Sequence, residues 1–262
     1  MSEGTRIKFT IGDSIVFEAQ GEENTVHDTF DAFMKQLDTI NRIEQFFAED
    51  EEEKPCRVTP HKGYQYFTAP WSDVLQQLDD KELTLSVGDI VRCDLLDGTP
   101  AEWVVTDVDD FAYRFESRDC LGKCSHERND MTKFLALVWD NMPKVLQEHI
   151  IPTVRQHRLN GNEIMTQETF LFLPAASEIF PPEKCLGDKD LYEQLDYYKD
   201  VHNRVRSDIM GGAETEWYWT DSPYSGNSTY WCGVSSYGGC DNYGASYSGI
   251  AAPVCFRIRK SV

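Results

Sequence analysis

The sequence predicts a protein of the α+β class, with strands and helices in separate stretches of the chain. Three short strands joined by tight turns are indicated between residues 87 and 116. Apolar residues at helical spacing follow between residues 129 and 151. With 262 residues, of which 40% are hydrophobic, the chain is long enough for one large domain or two modest ones.

The first fifty-four residues are predicted to form a small unit of their own (1–54). Two short strands, 7–10 and 14–17, predict a hairpin, and residues 25–47 carry apolar side chains at helical spacing. The acidic run 49–53 indicates a solvated boundary. Because the predicted helix has apolar side chains on several sides, we treat the unit as a possible site of homo-oligomerisation.

A connecting segment, 55–84, leads to a larger predicted domain, 85–262. The connecting segment contains a short amphipathic stretch with Trp71, Val74, Leu75 and Leu78. The domain is expected to begin with a three-stranded meander whose first turn lies at Asp97-Gly98. The predicted strands are 87–93, 103–108 and 111–116.

Helical patterns dominate the middle of the larger domain. One helix is expected to start at Asn129 or Asp130 and run to Trp139, and a second, with Pro143 in its first turn, to end before Pro152. A turn at 158–162 and a buried strand at 170–173 are predicted next, followed by a short helix at 175–180. The last predicted helix covers 191–205, and its tyrosines (Tyr192, Tyr197, Tyr198) are expected to pack at the edge of the core.

Charge and hydropathy exclude several kinds of partner. The formal net charge is −20 and the isoelectric point is near 4.6. Nucleic-acid binding depends on cationic side chains that displace counterions from phosphates, so neither nucleic acid nor an anionic membrane is an expected partner. A membrane-spanning run of about 18 apolar residues and the apolar core of a secretory signal are both missing from the sequence. We therefore expect no direct membrane insertion and a location in a cytoplasm or a phage virion.

The cysteines do not predict a metal site or a disulfide framework. Eight cysteines are scattered along the chain, and without a secretory signal they are expected to be reduced. Cys120, Cys124 and His126 resemble half of a zinc site, but no second ligand pair follows at the usual spacing. We expect neither a metal nor another cofactor.

The sequence also gives no support for catalysis. None of the six histidines shares a motif with an acid or a nucleophile, and Gly211-Gly212 and Gly238-Gly239 lack the strand-turn-helix setting of a phosphate loop. The carboxylate and amide triplets of a calcium-dependent sugar site do not occur either. A non-enzymatic function is therefore predicted.

The segment from Trp217 to Gly249 is rich in Tyr, Ser, Gly and Asn around a few tryptophans. Antibody loops use the same mixture, because tyrosine provides rigid amphipathic contact area while the small polar residues adapt their hydrogen bonds. Trp217 and Trp219 alternate with Tyr218, and Val254, Phe256 and Ile258 alternate with Cys255, Arg257 and Arg259, so a strand is expected at each end.

This segment resembles a known family. The run 219–238, which contains Trp219-Thr220-Asp221-Ser222-Pro223 and Trp231-Cys232-Gly233, and the ending Gly249-Ile250-Ala251-Ala252-Pro253 resemble an uncharacterised domain family of gut bacteria and their phages. That family is related to the formylglycine-generating-enzyme-like lectin folds. The resemblance covers about 85–258 and implies a C-type lectin fold. It is similar in particular to the variable proteins of diversity-generating retroelements, which implies a variable region at about 217–249.

A codon argument independently favours diversification of this region. Randomising the adenines of an AAC codon can produce Asn, Ser, Thr, Asp, Gly, Tyr and Cys, but not Lys, Glu, Gln, Met or Trp. Residues 221–249 contain none of those five types except Trp231. The candidate ligand-binding residues are Asp221, Asn227, Thr229, Tyr230, Gly233, Ser235, Tyr237, Gly239, Asp241, Asn242, Tyr243 and Tyr247.

Residues at every second position suggest how variation spares the core. Gly233, Ser235, Tyr237 and Gly239 are expected to share one exposed strand face, with Val234 and Ser236 pointing inward. Cys232 and Cys240 are interpreted as products of codon randomisation. Trp217, Trp219, Trp231 and the last strand are expected to hold the scaffold. The predicted partner is a protein or glycan ligand on a cell surface.

Two other functions remain open. One is a lectin-like binding protein or a virion structural protein that is not diversified. The other is an oxidase related to formylglycine-generating enzymes, which would need reactive thiols, with Cys232 as the first to test.

Overall fold

The computed structural model describes residues 5–11, 15–21, 64–158, 164–209, 214–227 and 229–261. The chain divides into two compact units, Met1–Pro55 and Cys56–Val262. In the first unit, β1 (Thr5–Ile11) and β2 (Ile15–Gly21) pair in antiparallel register, which confirms the predicted hairpin. The predicted helix 25–47 and the acidic run 49–53 lie outside the described residues.

A six-stranded sheet forms the centre of the second unit. In spatial order it contains β3 (Tyr66–Thr68), β4 (Ile90–Arg92), β5 (Glu102–Val108), β6 (Ala112–Ser117), β15 (Cys255–Arg259) and β7 (Ile150–Ile151). The predicted meander is confirmed, because β4, β5 and β6 pair antiparallel in sequence order. The first turn lies at Asp97-Gly98 as expected: Gly98 has a φ of +83°, and its N–H donates to the Leu95 carbonyl at 2.9 Å.

The larger core packs on one face of this sheet. Helix α1 (Trp71–Asp79) buries the four predicted apolar residues Trp71, Val74, Leu75 and Leu78, and this confirms the amphipathic stretch. The Phe256 ring lies 5.0 Å from Trp103 and 5.4 Å from Phe115, measured between centroids. Strand β15, near the chain end, is therefore fixed in the middle of the sheet.

Two helices joined by a tight turn follow the meander, as predicted: α2 (Arg128–Asn141) and α3 (Lys144–His149). The predicted starts were wrong by one or two residues. Glu127 precedes α2, and the Asp130 carboxylate accepts a hydrogen bond from the Ser125 hydroxyl at 2.7 Å instead of capping the helix. Pro143 is the residue before α3 rather than part of its first turn.

A hairpin that the sequence did not predict comes next, formed by β8 (Thr153–Arg158) and β9 (Ile164–Thr169). The expected strand 170–173 is also not a regular strand. Phe172 makes a single isolated bridge to Cys255, and the chain then enters the short predicted helix α4 (Ala176–Ile179). Leu171, Phe172 and Leu173 are nevertheless buried, as the prediction required.

The prediction of one helix over 191–205 was wrong. Two short 3-10 turns, Asp196–Lys199 and Val201–Arg204, occupy this stretch. Asp200 separates them, and its carboxylate accepts the His202 N–H at 3.0 Å. Tyr198 is fully buried rather than at the core edge, and its hydroxyl donates to the Glu116 carboxylate at 2.5 Å. Tertiary contacts therefore override local helix preference here.

A smaller sheet carries the tyrosine-rich segment. It consists of β12 (Tyr218–Pro223), β13 (Tyr230–Val234) and β14 (Cys240–Gly244) in that order. Two short strands, β10 (Arg206–Ser207) and β11 (Thr215–Glu216), precede this sheet in the chain and pair with each other in antiparallel register. With helices and several mainly antiparallel sheets, the protein belongs to the α+β class, as predicted.

Buried ion pairs connect β6 with α4, β8 and β10. Glu178 accepts hydrogen bonds from Arg114 at 2.7 Å and from Arg155 at 2.8 Å, and Glu116 pairs with Arg206 at 2.5 Å. Although burial raises the pKa of Glu178, the two guanidinium groups bring it well below its usual range. Buried charges of this kind are held in place by their partners, so they fix β6, β8 and α4 relative to one another.

Candidate ligand-binding surface

The segment that carries the candidate residues is anchored at its start by two aromatic side chains on opposite faces of β12. Trp219 is fully buried, and its indole N–H donates to the Cys124 carbonyl at 2.8 Å. Tyr218 is also fully buried in a separate cluster, where its hydroxyl donates to the Arg204 carbonyl at 2.9 Å. The predicted alternation of Trp217 and Trp219 against Tyr218 is confirmed.

The end of the segment is equally fixed. Val254, Phe256 and Ile258 are buried in the larger core, as the alternation predicted. Ala251 accepts the Trp219 N–H at 2.9 Å through its carbonyl, which ties the end of the segment to its beginning. The two ends of the polar stretch are therefore held next to each other by buried residues.

The turn of the β13–β14 hairpin presents the most exposed tyrosine of the segment. The Ser235 N–H donates to the Gly239 carbonyl, and the Gly238 N–H donates to the Ser235 carbonyl, each at 2.8 Å. Gly238 has a φ of +76°, a conformation that favours glycine. Tyr237 lies at this tip with 91% of its surface exposed.

The expectation that Gly233, Ser235, Tyr237 and Gly239 share one strand face was wrong. Strand β13 ends at Val234, so the last three residues lie in the turn. Gly233 is buried, and a β-carbon there would lie 3.0 Å from the Tyr218 carbonyl oxygen. Gly233 is therefore a packing position, while Val234 points inward as expected.

Three aromatic rings, those of Trp217, Tyr243 and Tyr247, contact one another in a row. The Tyr243 ring meets Trp217 edge-on at 5.1 Å and stacks on Tyr247 at 5.5 Å. Tyr243 is 38% exposed and Tyr247 is 54% exposed. Tyr230, which pairs with Gly244, lies on the opposite face of the hairpin from Tyr243, and Tyr237 lies at the tip. We call the four exposed tyrosines Tyr230, Tyr237, Tyr243 and Tyr247 the tyrosine surface.

Small polar residues accompany these rings. The Asn227 side-chain oxygen accepts hydrogen bonds from the Thr229 N–H and hydroxyl at 3.0 and 2.9 Å, which orders the exposed loop before β13. The Asp241 carboxylate is exposed, and Asn242 beside it is half-buried. These side chains can accept and donate hydrogen bonds at the edge of the tyrosine surface.

Asp221 does not lie on an exposed surface, which corrects its predicted place. Its side chain is only 17% exposed and lies 3.7 Å from the Arg155 Nε and 3.5 Å from the His157 Nδ1. Burial raises the pKa of Asp221 to about 6, against the opposing effects of His157 and Arg155.

Trp231, predicted as a scaffold residue, stacks on a histidine that sequence reasoning did not connect with it. The His126 and Trp231 rings are nearly parallel, with centroids 3.8 Å apart. The His126 Nε2–H donates to the Thr220 carbonyl at 3.0 Å, and burial lowers the pKa of the imidazole to about 4. Cys120, one of the three residues that resemble half of a zinc site, is buried in the core.

The two cysteines of the hairpin are not equivalent. Cys232 is fully buried beside Gly187, whereas Cys240 is half-buried. A hydrogen bond to the Cys240 sulfur, together with burial, raises the pKa of Cys232. A core position argues against the interpretation of Cys232 as a freely exchanged residue.

Comparison of the chain with protein-family models, curated proteins and solved structures gave no match. Function therefore has to be argued from the geometry of the chain itself. Within the described ranges, no three His, Cys, Asp or Glu side chains are grouped to hold a metal ion. The helices of the same part of the chain are all too short or too polar to cross a membrane.

Proposed function

We propose that this protein binds a protein or glycan ligand on a cell surface through the tyrosine surface, without catalysing a reaction. The observation that carries the proposal is the contrast between the tyrosine surface and its support. Tyr237 is 91% exposed at a hairpin tip, while Trp219 and Tyr218, on opposite faces of β12 in the same sheet, are fully buried. Large aromatic side chains that the fold leaves in solvent are available to a partner.

The physical character of these residues suits recognition. A tyrosine ring buries a large area on binding and loses little conformational entropy, and its hydroxyl can still form a hydrogen bond. Aromatic residues near the centre of an interface contribute most of the binding energy. Asn227, Thr229 and Asp241 are exposed in the same segment, and their polar groups can satisfy a ligand's donors and acceptors.

The proposal includes diversification by a retroelement and a C-type lectin fold over about 85–262. Ten candidate residues agree with it in exposure, because each is exposed or half-buried: Asn227, Thr229, Tyr230, Ser235, Tyr237, Gly239, Asp241, Asn242, Tyr243 and Tyr247. The proposed contact residues do not include Gly233, which is buried, or Asp221, whose side chain is only 17% exposed. Exchange of the ten residues would leave Trp219, Val234 and Ile250 in the core undisturbed.

The oxidase alternative is not favoured by Cys232. A reactive cysteine needs an accessible thiolate with a lowered pKa. Cys232 is fully buried, and its pKa is raised. The hydrogen bond to Cys232 lowers the pKa of the half-buried Cys240, so Cys240 is the thiol that this alternative would have to use. A binding protein or virion component that is not diversified would have the same tyrosine surface, so only the gene neighbourhood separates it from the diversified one.

Binding to intact cells tests the proposed surface. The fluorescently labelled full-length chain would be incubated with a panel of gut bacteria and applied to a glycan array. Tyr237→Ala and Tyr243→Ala should each weaken any binding by about 1 kcal/mol or more. Phe111→Ala is the matched control, because Phe111 is 75% exposed but lies outside the segment, at the β5–β6 turn. Equal effects of the three substitutions would refute the site.

Sequencing the flanking DNA tests diversification separately. We expect a reverse-transcriptase gene next to a near-copy of the 3′ coding segment that differs only at adenines. A locus without either would leave a binding protein with a fixed surface.

A further inference from the structure

A cavity of about 780 Å³ opens between the start of α2, the β8–β9 hairpin and strand β12. Apolar surface makes up the larger part of its wall, whose residues include Met131, Leu135, Met165, Leu171, Leu173 and Trp231. Cavities of this size and composition are typical of sites for small organic molecules. The tyrosine surface contributes none of its four rings to this wall.

Polar groups meet at one place in the cavity wall. The Asp221 carboxylate lies 3.7 Å from the Arg155 Nε and 3.5 Å from the His157 Nδ1, and both distances exceed an ordinary hydrogen bond. The Arg155 Nε is buried and has no hydrogen-bond partner within the described part of the chain. Because the Arg155 Nε is buried, the Asp221 carboxylate, whose side chain is 17% exposed, is the group that can take a further hydrogen bond from the cavity.

Neither neighbour is free to turn toward the carboxylate. The two terminal nitrogens of Arg155 donate to Glu178 at 2.8 and 2.9 Å, which fixes the guanidinium plane. The His157 Nδ1–H donates to the Asp221 main-chain carbonyl at 3.1 Å. These bonds hold the gap between Arg155 and Asp221 open.

The charges around the gap are balanced when Asp221 is ionised. Arg114 and Arg155 face Glu178 and Asp221, and Glu127 and Arg128 at the cavity rim offset each other. His126 is neutral at neutral pH because burial lowers its pKa to about 4. A charged ligand would add an uncompensated buried charge, which is costly. A hydroxyl is neutral and can donate a hydrogen bond to the carboxylate.

We infer that this cavity binds a neutral amphipathic small molecule, whose apolar body contacts Met131, Leu135 and Trp231 and whose hydroxyl donates to the Asp221 carboxylate. The site is separate from the tyrosine surface and does not depend on a cell-surface ligand. If position 221 is exchanged between relatives, the preferred polar group of the ligand changes with it.

Three benzene derivatives with the same ring and different polar groups test this site. 2-Phenylethanol carries an alcohol, 2-phenylethylamine an ammonium group and phenylacetate a carboxylate. Each would be titrated into the full-length chain near neutral pH, with calorimetry and tryptophan fluorescence as readouts. 2-Phenylethanol should bind tighter than either charged compound by about tenfold or more, because both would add a buried charge.

Two carboxylate variants complete the experiment. Asp221→Asn should weaken 2-phenylethanol binding by about tenfold, since the hydroxyl would donate to a neutral amide oxygen instead of a carboxylate. Asp241→Asn, at an exposed carboxylate on β14, should leave it unchanged. The inference is overturned if 2-phenylethanol does not bind, if a charged analogue binds as tightly, or if the two variants behave alike. The comparison of the three compounds decides the matter even if Asp221→Asn fails to fold.

The outcome is independent of the tyrosine surface. Tyr237→Ala should leave 2-phenylethanol binding intact while it weakens binding to cells. Loss of one activity without the other identifies which proposal has failed.

Discussion

The His126 imidazole and the Trp231 indole stack with centroids 3.8 Å apart, although 105 positions of sequence numbering separate the two residues. The stack joins the loop before α2 to the central strand of the small sheet. His126 also donates to the Thr220 carbonyl on β12, so one side chain holds two of the three strands that support the tyrosine surface.

Replacement of His126 should therefore destabilise the domain. His126→Ala removes a stacked ring and a buried hydrogen bond, and we expect the free energy of unfolding to fall by about 2 kcal/mol. Urea denaturation followed by far-UV circular dichroism measures this. Exposed His202 provides the control, since its replacement by alanine should have little effect. Equal stability of His126→Ala and the unmodified chain would contradict a structural role for the stack.

The same histidine should make stability depend on pH. Its pKa is lowered from 6.5 to about 4 in the folded state, so the unfolded chain takes up a proton first as the pH falls. The contribution of His126 is thus complete above pH 6.5 and is lost as the pH approaches 4. His126→Phe cannot titrate, and between pH 7 and 5 it should lose less stability than the unmodified chain. A parallel loss in both proteins would show that His126 does not titrate in this way.

Two glycines of the β13–β14 hairpin should differ sharply in their tolerance of a side chain. Gly233→Ala places a β-carbon 3.0 Å from the Tyr218 carbonyl, and we expect a loss of about 1–3 kcal/mol. Gly239 is exposed, a β-carbon there would meet only the Ser235 hydroxyl at 3.3 Å, and Gly239→Ala should change stability by about 0.5 kcal/mol or less. Thermal unfolding of both variants decides whether Gly233 belongs to the scaffold.

Asp221 should reduce stability near neutral pH. Its pKa is raised from 3.8 to about 6 on folding, so its protonated form is favoured in the folded state, and stability decreases as the pH rises from 4 to 6. Asp221→Asn, a neutral isostere, should be more stable than the unmodified chain at pH 7 by roughly 1 kcal/mol or more and similar to it at pH 4. Denaturation curves at the two pH values provide the test, and a less stable variant at pH 7 would contradict it.

Sequence reasoning identified those parts of the fold whose patterns are local. Trp217, Tyr218 and Trp219 alternate within three residues, and their faces followed correctly. Strand β9 was missed because nearly all of its side chains are exposed, so it carries no alternating apolar pattern. The helix predicted at 191–205 failed because the buried Tyr198 hydroxyl binds Glu116, which is distant in sequence.

The cavity beside Asp221 could not be predicted from the sequence for a related reason. Asp221 was chosen as a surface residue from its composition and codon context. Its neighbours His157 and Arg155 lie more than sixty positions earlier, and no motif links them. Only the approach of the β8–β9 hairpin to β12 brings the three side chains together.

The most direct test of the central claim is the stability of a chain whose tyrosine surface has been exchanged. A variant with Tyr237→Ser, Asp241→Asn, Tyr243→Ser and Tyr247→Ser uses only residues that an AAC codon can produce. Its free energy of unfolding should lie within about 2 kcal/mol of that of the unmodified chain. Gly233→Ser, a single exchange that an AAC codon also allows, should lower the free energy of unfolding by more than the fourfold variant does. A fourfold variant that no longer folds would contradict the account, because the tyrosines would then belong to the scaffold.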